Sequence, residues 1–190
     1  AMFENWKGEE LVRPIAAPHG TTTCDETLLR AASELAAEKN AVFTLHASEM
    51  DYEMKAFAER GETPTSYLKK IGALNPRLLA AHCIHLSDAD IELMKEGGAA
   101  VAHCIGSNTK AAKGVAPIAA LAKAGVRYGL GTDGPSSGNT LSMFDQMRLF
   151  AVCHKTANHD RGIFPARDIV RAATRGGAEA LGAGDEFGQI

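Results

Sequence analysis

The sequence predicts an α/β fold built on a parallel sheet. Short apolar segments alternate along the chain with longer segments whose apolar residues recur at the spacing of a helix. The 190 residues are 45% hydrophobic and 23% charged, the composition of an ordinary folded domain. Because no linker, low-complexity stretch or charge run divides residues 1–190, we expect a single domain. It is shorter than the roughly 250 residues of a complete eight-stranded βα barrel.

Five short apolar segments are predicted to be strands: 12–19, 41–46, 77–82, 99–103 and 126–133. The longer segments are predicted to be helices: 25–40, 50–60, 64–71, 87–98, 115–124, 140–155 and 165–181. Asp25 and Ser87 stand where helix N-caps belong, and Asn139 or Thr140 is expected to cap the helix at 140. The stretch 107–114 is polar and is predicted to be a loop.

The charge balance and the cysteine pattern exclude several classes of protein. Twenty Lys and Arg against 23 Asp and Glu leave a net charge of −3, and no basic cluster is present, which argues against nucleic-acid binding. No apolar run approaches the roughly 18 residues that cross a bilayer, and the first residues do not read as a signal peptide, so we expect no membrane partner. The four cysteines, at positions 24, 83, 104 and 153, form no CxxC pair and indicate reduced thiols in a cytoplasmic protein.

Each predicted strand ends in a side chain that can bind a metal ion. The strand-terminal residues are His19, His46, His82, His103 and Asp133, each about one βα unit from the next. The carboxyl ends of parallel strands point to the same edge of a sheet, so these side chains are expected on one rim. Imidazole and carboxylate groups with an open position for water are the ligands of catalytic zinc or iron sites. The pattern therefore predicts a metal-dependent enzyme.

A glutamate and two cysteines lie close in sequence to these strand-terminal histidines. Glu49 lies three residues after His46 and could take a proton from a metal-activated water, although an acidic residue is equally favoured in the first turn of a helix. Side chains alternate along a strand, so Cys83 and Cys104 are expected to face away from the histidines that precede them. We therefore expect these two thiols to pack beneath the helices rather than bind a metal.

Two glycine-containing segments suggest nucleotide binding only weakly. GLGTDG at 129–134 formally matches the dinucleotide pattern G-x-G-x-x-G, but no later strand with an acidic end follows about 20 residues on. We interpret these glycines instead as residues that make room around Asp133 at a crowded strand end. SNTKAAKG at 107–114 contains two lysines and a glycine but does not match a phosphate-binding P-loop. A Rossmann-like nucleotide-binding module is therefore the weakest alternative.

Three segments, AHCIHLSD, VAHCIGSN and GLGTDG, occur in the order and spacing of one known family. With PHGTTTCDETLL and LHASE, they make residues 11–188 resemble the amidohydrolase superfamily. Within it the likeness is to the deaminases of S-adenosylhomocysteine and 5′-methylthioadenosine and to their chlorohydrolase relatives. The resemblance implies a (β/α)8 barrel and one divalent metal ion, with zinc expected before iron or manganese. It also implies hydrolytic deamination of a small purine-like base or nucleoside.

The resemblance further implies roles for individual residues. His46 and Asp133 correspond to metal ligands, and Asp133 would also orient the attacking water. His82 corresponds to a histidine beside that water, and Glu49 to the residue that moves protons between water, ring nitrogen and leaving ammonia. His19 corresponds to a histidine that contacts the substrate. The acid at Glu49 favours deamination over chlorohydrolase-type activity on an aromatic heterocycle, because chlorohydrolase relatives can lack it.

The chain also departs from the family pattern. It contains no H-x-H pair, which supplies two metal ligands on the family's first strand, and His103 matches a family position to which we assign no ligand role. We therefore expect a partial barrel of about strands four to eight, without the N-terminal half and the small β-sandwich. Such an open sheet is expected to form a homo-oligomer through its inner face or edges. The alternatives are an enzyme that is impaired in this form and a catalytically dead, self-associating half-barrel.

Overall fold

The sheet contains four parallel strands in the order of the chain. In the computed structural model, which describes residues 1–189, the strand order is β1-β2-β3-β4. The strands are β1 (Phe43–Ala47), β2 (Leu78–His82), β3 (Ala100–His103) and β4 (Arg127–Leu130). Sequential parallel neighbours joined by helices are the connections of a βα barrel. The predicted α/β fold is therefore confirmed, and the sheet is consistent with part of such a barrel.

Helices connect and cover the strands throughout the described part of the chain. The first six are α1 (Met2–Asn5), α2 (Glu26–Glu38), α3 (Asp51–Ala58), α4 (Pro64–Lys70), α5 (Asp88–Gly97) and α6 (Ile105–Lys110). The next five are α7 (Ile118–Ala124), α8 (Pro135–Gly138), α9 (Met143–Ala157), α10 (Ala166–Ala173) and α11 (Arg175–Ala180).

The two predicted N-caps of the first half of the chain are confirmed. The Asp25 carboxylate accepts a hydrogen bond from the N–H of Leu28 at 2.8 Å, which satisfies one of the free donors at the start of α2. The Ser87 hydroxyl accepts from the N–H of Asp90 at 3.2 Å in the same way for α5. Helix α5 then ends at Gly98, whose φ of 66° is the left-handed conformation that favours glycine.

The predicted strand at 12–19 is not a strand. Ala16 in this segment and Gly20 just after it pair with β1 through isolated parallel bridges and not through a continuous ladder. The N–H of Ala16 donates to the carbonyl oxygen of Val42 at 2.9 Å. Alternate residues face the neighbouring strand, so the next donor would be Pro18, which has no N–H. Proline therefore interrupts the ladder, although the segment still lies along the edge of the sheet.

The predicted helix at 165–181 is interrupted. Thr174, with φ −122° and ψ −95°, separates α10 from α11. The break allows α11 to approach β4 at backbone distance, since a Cβ built on Gly129 would lie 2.5 Å from the Cα of Gly177. Only glycine fits at such a contact.

The polar stretch that was expected to be a loop begins inside a helix. Helix α6 contains GSN, residues of low helix propensity, but a contact with α9 overrides that preference. The N–H of Gly106 donates to Gln146 Oε1 at 2.9 Å, and a Cβ on Gly106 would lie 2.8 Å from the same amide.

The predicted caps for the following helix were wrong. Ser142 caps α9, accepting from the N–H of Asp145 at 3.2 Å, whereas Asn139 ends the short helix α8 with φ 62°. The insertion of α8 moves the start of α9 two to three residues beyond the expected positions.

The core lies between the sheet and its helices. It is formed by fully buried apolar side chains from both layers, among them Leu29, Phe43, Leu78, Val101, Ile118, Leu121 and Phe150. Each such side chain stabilises the fold by roughly 1.5–3 kcal/mol through burial. In residues 1–189 no helix combines the length and apolar character needed to cross a membrane.

A cavity of about 600 Å³ lies at the amino ends of the strands. Its lining includes Val42 and Arg77, which immediately precede β1 and β2, together with Trp6 and Leu181. It therefore lies at the end of the sheet opposite to the predicted rim.

Candidate active site

Four of the five side chains expected to share one rim lie near one another: His19, His46, His82 and Asp133. His19 lies beside β1, His46 and His82 lie at the carboxyl ends of β1 and β2, and Asp133 follows β4. Glu49, in the loop after β1, lies with them. The backbone is left-handed at Ser48, His82 and Asp133, with φ values of 51°, 69° and 58°. Such conformations cost energy in residues other than glycine and often occur at functional sites.

The His46 ring lies between two other imidazoles. Its centroid is 4.8 Å from that of His19 and 5.2 Å from that of His82, with which it stacks. The backbone N–H of His46 donates to the carbonyl oxygen of His19 at 3.0 Å, and His46 Nδ1 contacts the same oxygen. A carbonyl can only accept, so Nδ1 carries a proton, and Nε2 is the acceptor nitrogen of the neutral ring. This is the arrangement typical of a metal-binding histidine.

The His82 ring is fixed by Asn108 and faces two carboxylates. Its Nδ1 is 2.8 Å from Asn108 Oδ1, while Nε2 is 3.4 Å from Glu49 Oε1 and 4.0 Å from Asp133 Oδ2. Burial lowers the pKa of His82, against the opposing effects of Asn108 and the carboxylates. The neutral ring with Nδ1–H presents Nε2 as an acceptor. Because Nε2 and the carboxylates all accept, the space between them suits a donor such as water.

Asp133 is held as a carboxylate. Burial raises its pKa, but hydrogen bonds from the Ser107 hydroxyl and the Gly134 N–H, with the nearby histidines, bring the pKa below the ordinary value. The Gly134 N–H is 2.7 Å from Asp133 Oδ1. An ionised carboxylate beside free imidazole nitrogens is suited to bind a cation.

Sequence reasoning missed the residue that holds the Glu49 loop. The Glu53 carboxylate is buried and accepts the N–H groups of Glu49 at 2.7 Å, Ser48 at 3.1 Å and Met50 at 3.4 Å. It also accepts the hydroxyl of Thr21, from the segment that carries His19. The position of Glu53 near the start of a helix was a visible signal for capping, but its link to Thr21 depends on tertiary structure.

A second missed residue contacts the carboxylate of Glu49 itself. Lys113 Nζ lies 2.5 Å from Glu49 Oε1, with both side chains largely buried. The two residues are 64 positions apart, and the intervening sequence contains no signal of the contact.

The strand-end expectation was wrong for His103. This ring is completely buried, and its Nε2 lies 3.0 Å from Nε2 of His154 in α9. It also meets the edge of Phe150 at 5.6 Å between centroids. His103 therefore packs against the helix layer and not with the rim histidines.

Cys104 faces away from His103 as the alternation predicts, but it does not pack beneath the helices as expected. A Cβ on Gly131 would lie 3.0 Å from Cys104 Sγ, which places the thiol beside the segment that carries Asp133. Burial, with the charges of Asp133 and Glu49, raises the pKa of Cys104 to about 12. We assign this thiol no role as a metal ligand. Cys83 lies in the buried core, and all four cysteines are unpaired.

The donor set of the rim fits part of a metal centre. His46 Nε2 and the Asp133 carboxylate are the N and O ligands that zinc uses. Within residues 1–189, however, no three His, Cys, Asp or Glu side chains converge closely enough to hold a metal ion. The residues present therefore suit such a metal chemically, but further ligands would have to come from outside this chain.

Comparisons with known proteins identify the family of the chain. The model of the amidohydrolase family matches residues 1–190. The 5-methylthioadenosine/S-adenosylhomocysteine deaminase of Syntrophobacter fumaroxidans is 39% identical over 100% of this chain and 44% of its own length. The 5′-deoxyadenosine deaminase of Methanothrix thermoacetophila is 38% identical over 95% of this chain and 44% of its own length.

Solved structures of a deaminase and a chlorohydrolase superimpose on nearly the whole chain. An adenosine deaminase from Xanthomonas campestris with bound zinc superimposes with a TM-score of 0.94 and 36% identity, covering 99% of this chain and 43% of that one. The atrazine chlorohydrolase of Arthrobacter aurescens TC1 complexed with zinc has a TM-score of 0.90 and 29% identity, covering 98% of this chain and 42% of that one. The chain thus spans less than half the length of the proteins it matches.

Proposed function

The chain belongs to the amidohydrolase family, and on that premise we propose that it is the part of a metal-dependent aminohydrolase that corresponds to about barrel strands four to eight, of which four are formed as β1–β4. The proposed reaction is hydrolysis of a C–N bond in a purine-like base or nucleoside. The observation that carries it is the 3.4 Å separation between Glu49 Oε1 and His82 Nε2. It puts a carboxylate that can move a proton beside a neutral imidazole that can hold the same water.

The proposed metal ligands are His46 and Asp133, completed by ligands from outside residues 1–190. A bound divalent ion, zinc by preference, would lower the pKa of a coordinated water towards neutrality. Support comes from the free Nε2 of His46 and from the hydrogen bonds that keep Asp133 ionised. The zinc in the two similar solved structures supports the choice of ion.

Glu49 is proposed to carry the protons of the reaction. It takes one proton from the attacking water and gives it to the ring nitrogen next to the amino-bearing carbon. It then takes the remaining proton from the added hydroxyl group and gives it to the amino group as the carbonyl forms. The C–O bond forms, the C–N bond breaks, and the amino group leaves as ammonia, so one water is consumed for each ammonia released. His82 accepts a hydrogen bond from the water through Nε2, and Asp133 orients it from the other side.

His19 is proposed to contact the substrate. Its ring is exposed at the mouth of the rim, 4.8 Å from the His46 ring, and its Nδ1 is held by Thr23 Oγ1 at 2.6 Å. The adenosine-type substrates in the names of the relatives favour a nucleoside as the molecule it contacts.

A chlorohydrolase-type reaction on an aromatic heterocycle is the second candidate. The likeness to an atrazine chlorohydrolase favours it, whereas the proton-moving carboxylate at Glu49 favours deamination. The two reactions differ in product, since one releases ammonia and the other chloride. Assaying both ions with matched amino- and chloro-substituted heterocycles separates them.

The test of the proposal uses the full-length protein, meaning this chain with the polypeptide that completes the length of its relatives. Ammonia release is measured with 5′-methylthioadenosine, S-adenosylhomocysteine and 5′-deoxyadenosine. His46→Ala is expected to abolish it, and Glu49→Gln is expected to lower it at least about 100-fold. Glu59→Gln, which changes an exposed carboxylate at the end of α3, is expected to retain it. Undiminished deamination in the first two variants would overturn the proposal.

The chain by itself is proposed to be impaired and to self-associate. Two ligands hold a metal weakly, so metal analysis after dialysis is expected to find the ion in the full-length protein and not in residues 1–190. The open sheet is expected to form a homo-oligomer, which light scattering would detect. A monomer that keeps its metal would contradict both statements.

A further inference from the structure

We infer that Lys113 is a positioning residue for Glu49, and that residues 108–113 align the Glu49–His82 pair. This inference rests on the proposed function of Glu49. It concerns the polar segment SNTKAAKG, whose lysines have no part in the mechanism above.

The contact of Lys113 is with the one carboxylate oxygen that faces the reaction site. Lys113 Nζ is 2.5 Å from Glu49 Oε1, and the same Oε1 is 3.4 Å from His82 Nε2. The Lys113 and Glu49 side chains are only 20% and 15% exposed, so solvent screens this ion pair less than one on the open surface. The ammonium therefore restricts the rotation that would turn Oε1 away from His82.

The backbone at Lys113 is held by a hydrogen bond and by close packing of the turn that follows α6. Its N–H donates to the carbonyl oxygen of Asn108 at 2.9 Å, which closes the end of α6. Ala112 before it has φ 53°, and Gly114 after it has φ 124°. A Cβ on Gly114 would lie 2.9 Å from Ile84 Cγ2, so the turn packs closely on the loop after β2. The Lys113 side chain therefore extends to Glu49 from a backbone position that these contacts fix.

The same segment also fixes the other member of the pair. Asn108 Oδ1 holds His82 Nδ1 at 2.8 Å, and the Asn108 side chain is fully buried. One short stretch of chain after β3 thus orients His82 through Asn108 and Glu49 through Lys113. Lys110, the other lysine of the segment, is directed elsewhere and donates to the carbonyl oxygen of Ser136 at 3.0 Å.

The alignment matters because proton transfer requires hydrogen-bonding distances. A glutamate side chain has three rotatable bonds, and a displacement of about 1 Å can cost on the order of 10²-fold in rate. Partners that orient catalytic groups from behind typically contribute about 10- to 100-fold in activity. We expect Lys113 to act in this range.

The experiment compares three variants of the full-length protein. Lys113→Met is expected to lower kcat about 10- to 100-fold while KM stays within about threefold. Lys113→Arg keeps the positive charge and is expected to restore most of kcat. Lys70, the last residue of α4, forms a 2.6 Å ion pair with Glu62. Lys70→Met removes this ion pair and is expected to keep kcat within about twofold.

A second measurement does not depend on activity. Thermal unfolding of Lys113→Met, Glu49→Gln and the double variant forms a double-mutant cycle, and the inference requires a coupling between the two residues. No coupling, or a kcat for Lys113→Met equal to that of Lys70→Met, would overturn the inference while Glu49→Gln remains impaired. Full deamination by Glu49→Gln would instead remove the proposed function, and the role of Lys113 with it.

Discussion

Two groups of histidines, one at the rim of the sheet and one between the sheet and helix α9, differ in what surrounds them. In the rim group, His46 and His82 each have Nδ1 held by an oxygen, and both leave Nε2 open. In the core group, His103 and His154 bring their Nε2 atoms to 3.0 Å from one another. Each imidazole of the core group thus uses the nitrogen that the rim group leaves free.

The comparison shows that a position at the end of a strand does not by itself assign a histidine to the site. His82 ends β2 and His103 ends β3, yet only His82 has carboxylates within reach of Nε2. His103 and His154 pack among Phe150 and Phe164, which supply no charge. Whether a strand-terminal histidine joins the site depends on the element that its ring faces, and the His103 ring faces α9.

The largest predicted difference between the two groups is in catalysis. Glu49→Gln at the rim is expected to lower kcat about 10²- to 10⁴-fold, the usual contribution of a general acid–base group. His154→Gln in the core is expected to lower Tm while kcat of the folded enzyme changes less than about threefold. Steady-state kinetics with thermal unfolding of both full-length variants checks this, and a reversed pattern would contradict the division.

The next effect is on stability against acid. Burial lowers the pKa of His154 to about 4, from 6.5. The unfolded chain therefore binds more protons between these values, so the stabilisation present above pH 6.5 is lost as the pH falls towards 4. His154 would account for up to about 3 kcal/mol of this loss. Urea unfolding at pH 7, 5.5 and 4 should give a flatter pH dependence for His154→Gln, and an unchanged dependence would exclude His154 as the source.

A smaller effect is expected from the support of the rim. Glu53→Gln keeps the shape of the side chain but replaces one acceptor oxygen with an amide, so some of the N–H groups of the Glu49 loop lose their partner. We expect a decrease in kcat of about 10- to 100-fold. Asp90→Asn is the matched control, a buried carboxylate that caps α5. Equal kinetic effects in both variants would show that Glu53 acts on stability alone.

The smallest effect is expected at Cys104. Its thiol lies near Asp133, but burial raises its pKa to about 12, so it stays protonated at neutral pH. Cys104→Ser is expected to change kcat less than about twofold. A loss of metal from the purified full-length variant would show instead that the thiol is a ligand.

The sequence predicted those features that depend on local pattern. Strand-terminal His46 and His82 were visible because each closes an apolar run, and Asp25 and Ser87 because capping has a local signal. The missing ladder at Pro18 was also readable in principle, since proline has no N–H to donate.

The remaining features depend on contacts between distant segments. The break at Thr174 accompanies the close approach of Gly177 to Gly129, and the orientation of the His103 ring towards the helix layer depends on its contact with His154 in α9. The contact of Lys113 with Glu49 spans 64 positions. None of these has a local signal, because each depends on which side chain the fold places opposite another.

The most direct test of the two groups is a zinc titration of the full-length protein, followed by NMR of the imidazole rings. We predict that zinc changes the ring signals of His46 and the carboxyl signal of Asp133, while His103 and His154 keep theirs. A change confined to His103 and His154, or no change at His46 when zinc is bound, would contradict the assignment of the rim as the metal-dependent site.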